Sequence, residues 1–127
     1  MLNQLNQLAS NIRKANLQKG FDLSDVQTGT QLMLVVSELS EALEAVRNGR
    51  YCNEKSVQSL KDFDGDIDIH FQHEFERKVK DTFEDELADA LIRILDICAF
   101  YDIDIDSHVS LKLQYNATRE HKHGKKF

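Results

Sequence analysis

Hydrophobic residues recur at three- and four-residue steps in four stretches of the chain, and this spacing predicts four amphipathic helices. The first covers residues 2–18 and the second residues 26–47. The third ends near Tyr101, and the fourth runs to about Arg119. A shorter helix leading into the third is predicted by apolar residues at four-residue steps, namely Phe71, Phe75, Val79 and Phe83.

Turn-forming and capping residues lie between these stretches. Gly20 is expected to end the first helix and Asn48-Gly49 the second, because glycine tolerates the left-handed backbone found at helix ends. Residues 48–70 are the least regular part of the chain. Short polar residues are expected to cap the second and fourth helices. The candidates are Ser24 or Asp25 for the second helix, and Asp104 or Asp106 for the fourth.

The second helix carries two carboxylates in an unusual position. Its main apolar face comprises Leu32, Val35, Val36, Leu39, Leu43 and Val46. Glu38 and Glu41 lie neither on this face nor on the most polar side, and they share an arc with Leu34 and Ala45. Carboxylates flanked by apolar residues are costly to desolvate, and proteins keep such groups when they are paired or bind metal. This placement indicates a site.

The third helix repeats the same spacing with Glu86 and Asp89. Like charges three residues apart on a helix repel one another unless a cation lies between them. If the two helices pack side by side, all four carboxylates of the two helices converge. Such an oxygen-only site suits Mg²⁺ or Mn²⁺ better than zinc or copper. Di-iron bundles add histidines in a Glu-x-x-His pattern, which neither pair contains.

Composition supports a helical protein that works with a metal. The chain has 127 residues, no proline and only five glycines, which favours one domain of long helices. Its net charge of −6 argues against a nucleic-acid surface and implies that a phosphate substrate would need metal ions. No apolar run approaches the ~20 residues of a membrane span. The polar N-terminus lacks the features of a signal peptide, so a cytoplasmic protein is expected.

Two other metal motifs fail on spacing. Residues 62–68 look like a calcium loop, but the glycine follows the second aspartate rather than the third, so a solvated acidic loop is expected. His70 and His73 have no partners at a zinc-finger spacing. Cys52 and Cys98 match neither a disulfide scaffold nor a zinc ribbon.

The fourth helix carries a cationic face in an otherwise acidic chain. The face consists of His108, Lys112, Asn116 and Arg119, at four- and three-residue steps. Its simplest interpretation is a solvated stripe. Beside a metal site, the same lysine, asparagine and arginine would neutralise and orient phosphate oxygens.

These motifs together resemble the all-α nucleoside triphosphate pyrophosphohydrolases, the MazG-like group. The resemblance rests on Glu38-x-x-Glu41 and Glu86-x-x-Asp89 and on the end of the chain, with Lys112, Tyr115-Asn116, Arg119 and Gly124-Lys125-Lys126-Phe127. It covers residues 27–47 and 78–127. The gap between the two acidic pairs is longer than is usual in the family, because of an insertion at residues 48–80. The insertion is a candidate lid, specificity loop or oligomer contact.

The resemblance implies a single MazG-like domain over residues 1–127, an antiparallel four-helix bundle with an irregular insertion between helices 2 and 3. It implies Mg²⁺-dependent hydrolysis of a (d)NTP to the monophosphate and pyrophosphate, with Mn²⁺ as a possible substitute. One to three metal ions would be held by Glu38, Glu41, Glu86 and Asp89. Glu38 or Glu41 would accept the proton of the attacking water, and Lys112, Asn116 and Arg119 would bind the triphosphate.

Further implications concern Arg93 and the assembly. Arg93 either reaches a phosphate or pairs with Asp89 or Asp96, the ion pair being slightly preferred. The family's members look like homodimers or homotetramers, and the tail from Gly124 either crosses to another subunit or is disordered. Two alternatives remain open: a metal-stabilised interaction module without activity, and a phosphohydrolase acting on a metabolite other than a nucleotide.

Overall fold

The computed structural model of the chain describes residues 4–62 and 69–126, and every regular element within them is helical. The all-α fold class is therefore confirmed. Two short 3₁₀ helices, Leu23–Asp25 and His121–Gly124, accompany the α-helices. The α-helices are α1 (Gln4–Gln18), α2 (Thr28–Arg47), α3 (Glu54–Lys61), α4 (Ile69–Lys78), α5 (Phe83–Phe100) and α6 (Ile105–Ala117).

Helices α1, α2, α5 and α6 correspond to the four predicted helices, and α4 corresponds to the predicted short one. The prediction that residues 48–70 are the least regular part of the chain is wrong for Glu54–Lys61, which form α3. Residues 63–68, which include most of the predicted acidic loop, lie outside the described residues. The sequence of α3 has too few apolar residues for a clear periodic pattern. The capping signals are nonetheless present: the side chain of Asn53 accepts a hydrogen bond from the Lys55 N–H, and Glu54 and Lys61 occupy the first and last turns.

Helix ends follow the predicted chemistry except at the start of α2. Gly20 and Gly49 have φ angles of 87° and 66°, which confirms the two left-handed turns. Asp104 caps α6 by accepting a hydrogen bond from the Ser107 N–H. The expected cap at Ser24 or Asp25 is wrong. Both residues belong to the first 3₁₀ helix, so that Gln27 precedes α2 and makes no side-chain capping bond.

The chain divides into two compact units. The central unit is Val26–Ile94, and the terminal unit comprises the described residues before Val26 together with those from Leu95 onward. Helix α5 contributes residues 83–94 to the central unit and residues 95–100 to the terminal unit. The single domain expected over residues 1–127 stays a prediction. Across the part of the chain that the structure describes, every helix is too short or too polar to cross a membrane.

Buried carboxylates organise the terminal unit. Asp106 accepts hydrogen bonds from the backbone N–H groups of Leu5 (3.3 Å) and Asn6 (2.8 Å), which begin α1 and have no partner within that helix. Asp96 accepts a hydrogen bond from the Asn16 side chain at 2.9 Å. These bonds tie α1 to α6 and to the end of α5.

In the central unit, the face of α2 that is buried differs from the face that is richest in large aliphatic residues. The buried residues are Gln31, Val35, Glu38, Ala42 and Ala45. Of the six residues on the predicted apolar face, only Val35 is buried. The other five form what we call the aliphatic stripe of α2, with 38–53 % of each residue exposed: Leu32, Val36, Leu39, Leu43 and Val46.

The start of the insertion is fixed against the first turn of α5. The Phe83 N–H donates to the Arg50 carbonyl at 2.9 Å, and the Cys52 N–H donates to a carboxylate oxygen of Glu84 at 2.8 Å. The Tyr51 and Phe83 rings meet edge to face, with centroids 6.0 Å apart. Residues 50–52, which precede α3, are therefore held beside the start of α5.

Candidate metal centre

Helices α2 and α5 bring three carboxylates of the predicted set together. One oxygen each of Glu38, Glu41 and Glu86 lies within 4.8 Å of the other two. Glu38 and Glu86 are only 8 % and 6 % exposed, whereas Glu41 is exposed. In an octahedral Mg²⁺ site with ligands at about 2.1 Å, adjacent oxygens lie about 3.0 Å apart and opposite oxygens about 4.2 Å apart. To bind one Mg²⁺ together, these three oxygens would have to be brought closer by rotation of their side chains.

Asp89, the fourth predicted ligand, lies one turn after Glu86 and is half-buried. It is absent from that group of three. A second group within the described residues joins Glu86 to two acids that sequence reasoning missed, Asp81 and Asp85, with oxygens again within 4.8 Å of one another. Both stand just before Glu86 in the sequence, and their four-residue spacing was the available signal. Glu86 belongs to both groups and is the centre of the acidic cluster.

Arg93 supplies positive charge to this cluster. Its Nε donates to Glu38 Oε1 at 2.6 Å, which is an ion pair between α5 and α2. An ion pair of Arg93 was predicted, but the predicted partners, Asp89 or Asp96, are wrong. The Arg93 side chain extends instead to Glu38 on the neighbouring helix. Asp96 instead lies 3.8 Å from Arg13 within the terminal unit. Among the ion pairs of the described residues, Arg93–Glu38 is the one that involves a predicted metal ligand.

The surroundings of Glu86 and Glu41 in the cluster raise the pKa of both side chains. Burial, together with the charges of Glu41, Asp89 and Glu38, raises the pKa of Glu86 to about 7. The pKa of Glu41 is raised by its hydrogen bond to Glu38, by burial and by the charge of Glu38. Near neutral pH Glu86 is therefore protonated in part of the molecules, whereas an isolated glutamate would be fully ionised.

Two other carboxylates show how position decides the direction of the shift. Burial opposes the charge of Glu38, but hydrogen bonds from Arg93 and Glu41 outweigh it and lower the pKa of Glu38. The pKa of Asp89 is raised by burial and by the charges of Asp85 and Glu38. A divalent cation would compete with the proton of Glu86 for the same oxygens.

The predicted phosphate-binding residues lie in the terminal unit. Lys112 and Asn116 are in α6, and Arg119 follows its C-terminal cap. The Lys112 ammonium and the Arg119 guanidinium lie 4.9 and 5.6 Å from the centroid of the Tyr115 ring. Arg119 also donates to the His123 carbonyl at 3.2 Å and so holds the second 3₁₀ helix. The charged groups of Lys112 and Arg119 therefore both lie near the Tyr115 ring. His108 is an exposed residue of α6.

The remaining features of this face are a buried amide oxygen and a constrained glycine. Asn116 Oδ1 is buried and has no hydrogen-bond partner among the described residues. Gly124 has a φ of 76°, and a Cβ there would lie 2.7 Å from Glu120 Oε1. A larger residue at position 124 would therefore be strained and would displace Glu120. Phe127, the last residue of the predicted tail, lies outside the described residues.

No protein-family model, curated protein or solved structure matches this chain. The resemblance to the MazG-like group therefore rests on the motifs themselves.

The raised pKa of Glu86 predicts how the stability of the metal-free protein depends on pH. A carboxyl with a raised pKa stabilises the fold while it is protonated, so its contribution is complete below its ordinary pKa of 4.5 and is lost as the pH rises through about 7. For protein kept metal-free by a chelator, we expect Tm to fall as the pH rises through this range. Glu86→Gln should flatten the fall and raise the free energy of unfolding near neutral pH by about 1 kcal/mol.

Thermal denaturation followed by circular dichroism measures both effects. Glu44→Gln, an exposed α2 carboxylate paired with Arg47, is the matched control and should keep the wild-type profile. Superimposable pH profiles of wild type and Glu86→Gln would contradict the electrostatic account.

Proposed function

We propose that this chain is a Mg²⁺-dependent nucleoside triphosphate pyrophosphohydrolase of the MazG-like group, built as a single helical-bundle domain. The observation that carries the proposal is the convergence of Glu38, Glu41 and Glu86 from two helices that are distant in sequence. These are three of the four positions in the two acidic pairs on which the resemblance rests. Glu38 and Glu86 are almost fully buried, and the ion pairs of the described residues give a cation to Glu38 but none to Glu86, a costly placement for a carboxylate.

The donor set fits magnesium. It consists of carboxylate oxygens from two helices, and the described residues place no histidine or cysteine in either group of three. Bound Mg²⁺ would neutralise phosphate oxygens and lower the pKa of a coordinated water. Asp89, one turn beyond Glu86 on α5, is the fourth ligand of the proposed set. Mn²⁺, which prefers similar ligands, is expected to substitute.

Side chains of the protein itself fill the remaining roles in the proposed reaction. Glu38 is held by Arg93, so one of its oxygens is already committed. Glu41 is exposed and lacks such a partner among the ion pairs described, and we assign it the role of accepting the proton of the attacking water. Arg93 positions Glu38 rather than binding phosphate. Lys112, Asn116 and Arg119 supply the positive charge and the N–H donors that a triphosphate needs.

A pyrophosphate-release assay with Mg²⁺ across the eight common NTPs and dNTPs tests this function. We expect release with at least one nucleotide and a loss of about hundredfold or more in Glu41→Gln, because both a proton acceptor and a ligand are removed. Glu44→Gln, one turn further along the exposed side of α2, should retain wild-type turnover.

Other outcomes would identify the rival functions. Release of orthophosphate from a phosphorylated metabolite, without pyrophosphate, would indicate a different phosphohydrolase. No turnover by a folded protein supplied with Mg²⁺ or Mn²⁺, with Tm raised by metal, would contradict the enzyme and favour a metal-stabilised interaction module.

We further propose that the chain functions as a homodimer or homotetramer. The aliphatic stripe of α2 is exposed in the single chain, and α5 exposes Leu87, Leu91 and Ile94 within the same central unit. Contiguous apolar surface of this kind marks protein–protein interfaces. A second copy of the chain offers the matching surface, since two-fold assembly pairs a patch with itself.

The assembly predicts a change in mass for a charged substitution in the stripe. Wild-type protein should show a multiple of 14.6 kDa by light scattering after gel filtration, and Leu39→Asp combined with Leu43→Asp should reduce it to 14.6 kDa. Burying two uncompensated charges in an apolar interface is strongly unfavourable. Ser40→Asp adds a charge to the same turn outside the stripe and should leave the mass unchanged. A wild-type mass of 14.6 kDa would contradict the proposal.

A further inference from the structure

A cleft of about 450 Å³ lies between α4 and the first turns of α5, inside the central unit. One wall is the face of α4 that carries Phe71, Gln72, Phe75 and Glu76. The opposite wall carries Asp85 and Asp89. The volume lies within the range of small-molecule sites in proteins. The cleft is formed by the insertion that separates this chain from the pattern of the MazG-like group.

The α4 wall offers flat aromatic surface. Phe71 and Phe75 are one helical turn apart, with ring centroids separated by 6.1 Å and planes inclined by 25°. Both residues are half-buried, so part of each side chain remains accessible. Such surfaces bind planar aromatic ligands, and base–aromatic stacking typically contributes about 1–3 kcal/mol.

The same wall also offers hydrogen-bonding groups at its rim. Gln72 Nε2 donates to Glu76 Oε1 at 3.1 Å, and both side chains are exposed. The groups that can still form hydrogen bonds are one amide N–H and the amide oxygen of Gln72, and the second carboxylate oxygen of Glu76. A group with two acceptors and one donor favours a ligand edge that carries an amino group.

The opposite wall connects the cleft to the acidic cluster. Asp89 lines the cleft and is also the fourth residue of the proposed metal set, while Asp85 shares a group of three with Glu86. A ligand whose aromatic ring lies against α4 would therefore direct its other end towards the carboxylates. A nucleoside phosphate has this construction, with a planar base at one end and metal-binding oxygens at the other.

We propose that the cleft is the nucleobase subsite: Phe71 and Phe75 stack against the base, and Gln72 and Glu76 select bases that bear an amino group. This rests on the proposed function, because it assigns the base of the same nucleotide whose phosphates meet the metal. Hydrogen bonds from the Phe83 N–H to the Arg50 carbonyl and from the Cys52 N–H to Glu84 hold the start of the insertion against α5. The Cys52 thiol in turn donates to the carbonyl of Lys78, the last residue of α4, at 3.7 Å and so links α4 to the same segment.

Steady-state kinetics of pyrophosphate release with ATP, GTP, CTP and UTP test the subsite, with inorganic tripolyphosphate as an inhibitor that has phosphates but no base. Phe75→Leu keeps an apolar side chain and removes the aromatic face. We expect it to raise KM for the nucleotides by about fivefold to hundredfold, and to leave kcat and the inhibition constant of tripolyphosphate within about twofold. Glu76→Gln should reduce the preference for GTP, ATP and CTP over UTP.

His73→Ala is the matched control, because His73 is exposed on α4 and does not line the cleft. It should retain the wild-type KM values, and melting curves establish that each variant is folded. An unchanged KM in Phe75→Leu, with active wild type, would overturn the subsite and leave the pyrophosphohydrolase standing. An equal weakening of tripolyphosphate would also overturn it, since the effect would then not concern the base. Wild type that releases no pyrophosphate from any nucleotide would overturn both proposals.

Discussion

The repulsion among carboxylates that α2 and α5 place together is the constraint on which the rest of the site depends. Glu38 and Glu86 are buried. Among the ion pairs of the described residues, Arg93 is the basic side chain that pairs with a member of this set. Burial and the neighbouring negative charges raise the pKa of Glu86 to about 7. The hydrogen bond to Glu38, burial and the charge of Glu38 raise the pKa of Glu41. A divalent cation would remove the repulsion, and this is the physical reason for assigning metal chemistry to the cluster.

Helix α2 serves the site and the proposed assembly with two different faces. Its buried face consists mainly of small or functional side chains, including Ala42, Ala45 and Glu38. From this face Glu38 meets α5 through its ion pair with Arg93. The larger aliphatic residues lie on the exposed stripe, where a second copy of the chain would cover them. One helix can therefore join the catalytic and assembly functions that we propose.

Sequence periodicity predicted the helices that carry the site, because long amphipathic stretches and glycine turns are local signals. It predicted the convergence of Glu38, Glu41 and Glu86 through repeated spacing, but it did not identify Asp81 and Asp85 as neighbours. Helical spacing alone cannot reveal whether an arginine reaches across to another helix.

Most of the remaining differences between the sequence predictions and the structure also arise because helical spacing does not report tertiary contacts. Periodicity identified the largest apolar face of α2 and not the buried one, since burial in the folded chain depends on which face finds a partner. Helix α3 escaped prediction because its stabilising signals are capping residues rather than an apolar stripe. The aromatic spacing of α4 was visible in the sequence, whereas the cleft it forms with α5 depends on tertiary packing.

Calorimetric titration of the purified, metal-free protein with Mg²⁺ would show whether the acidic cluster is a metal site. We expect saturable binding that releases protons and is tighter at about pH 8 than at about pH 6, because the ion displaces the proton held by Glu86, whose pKa is about 7. Glu86→Gln should abolish the binding, and Glu44→Gln should not change it. Absence of Mg²⁺ binding by the folded wild type, or equal binding by Glu86→Gln, would contradict the account.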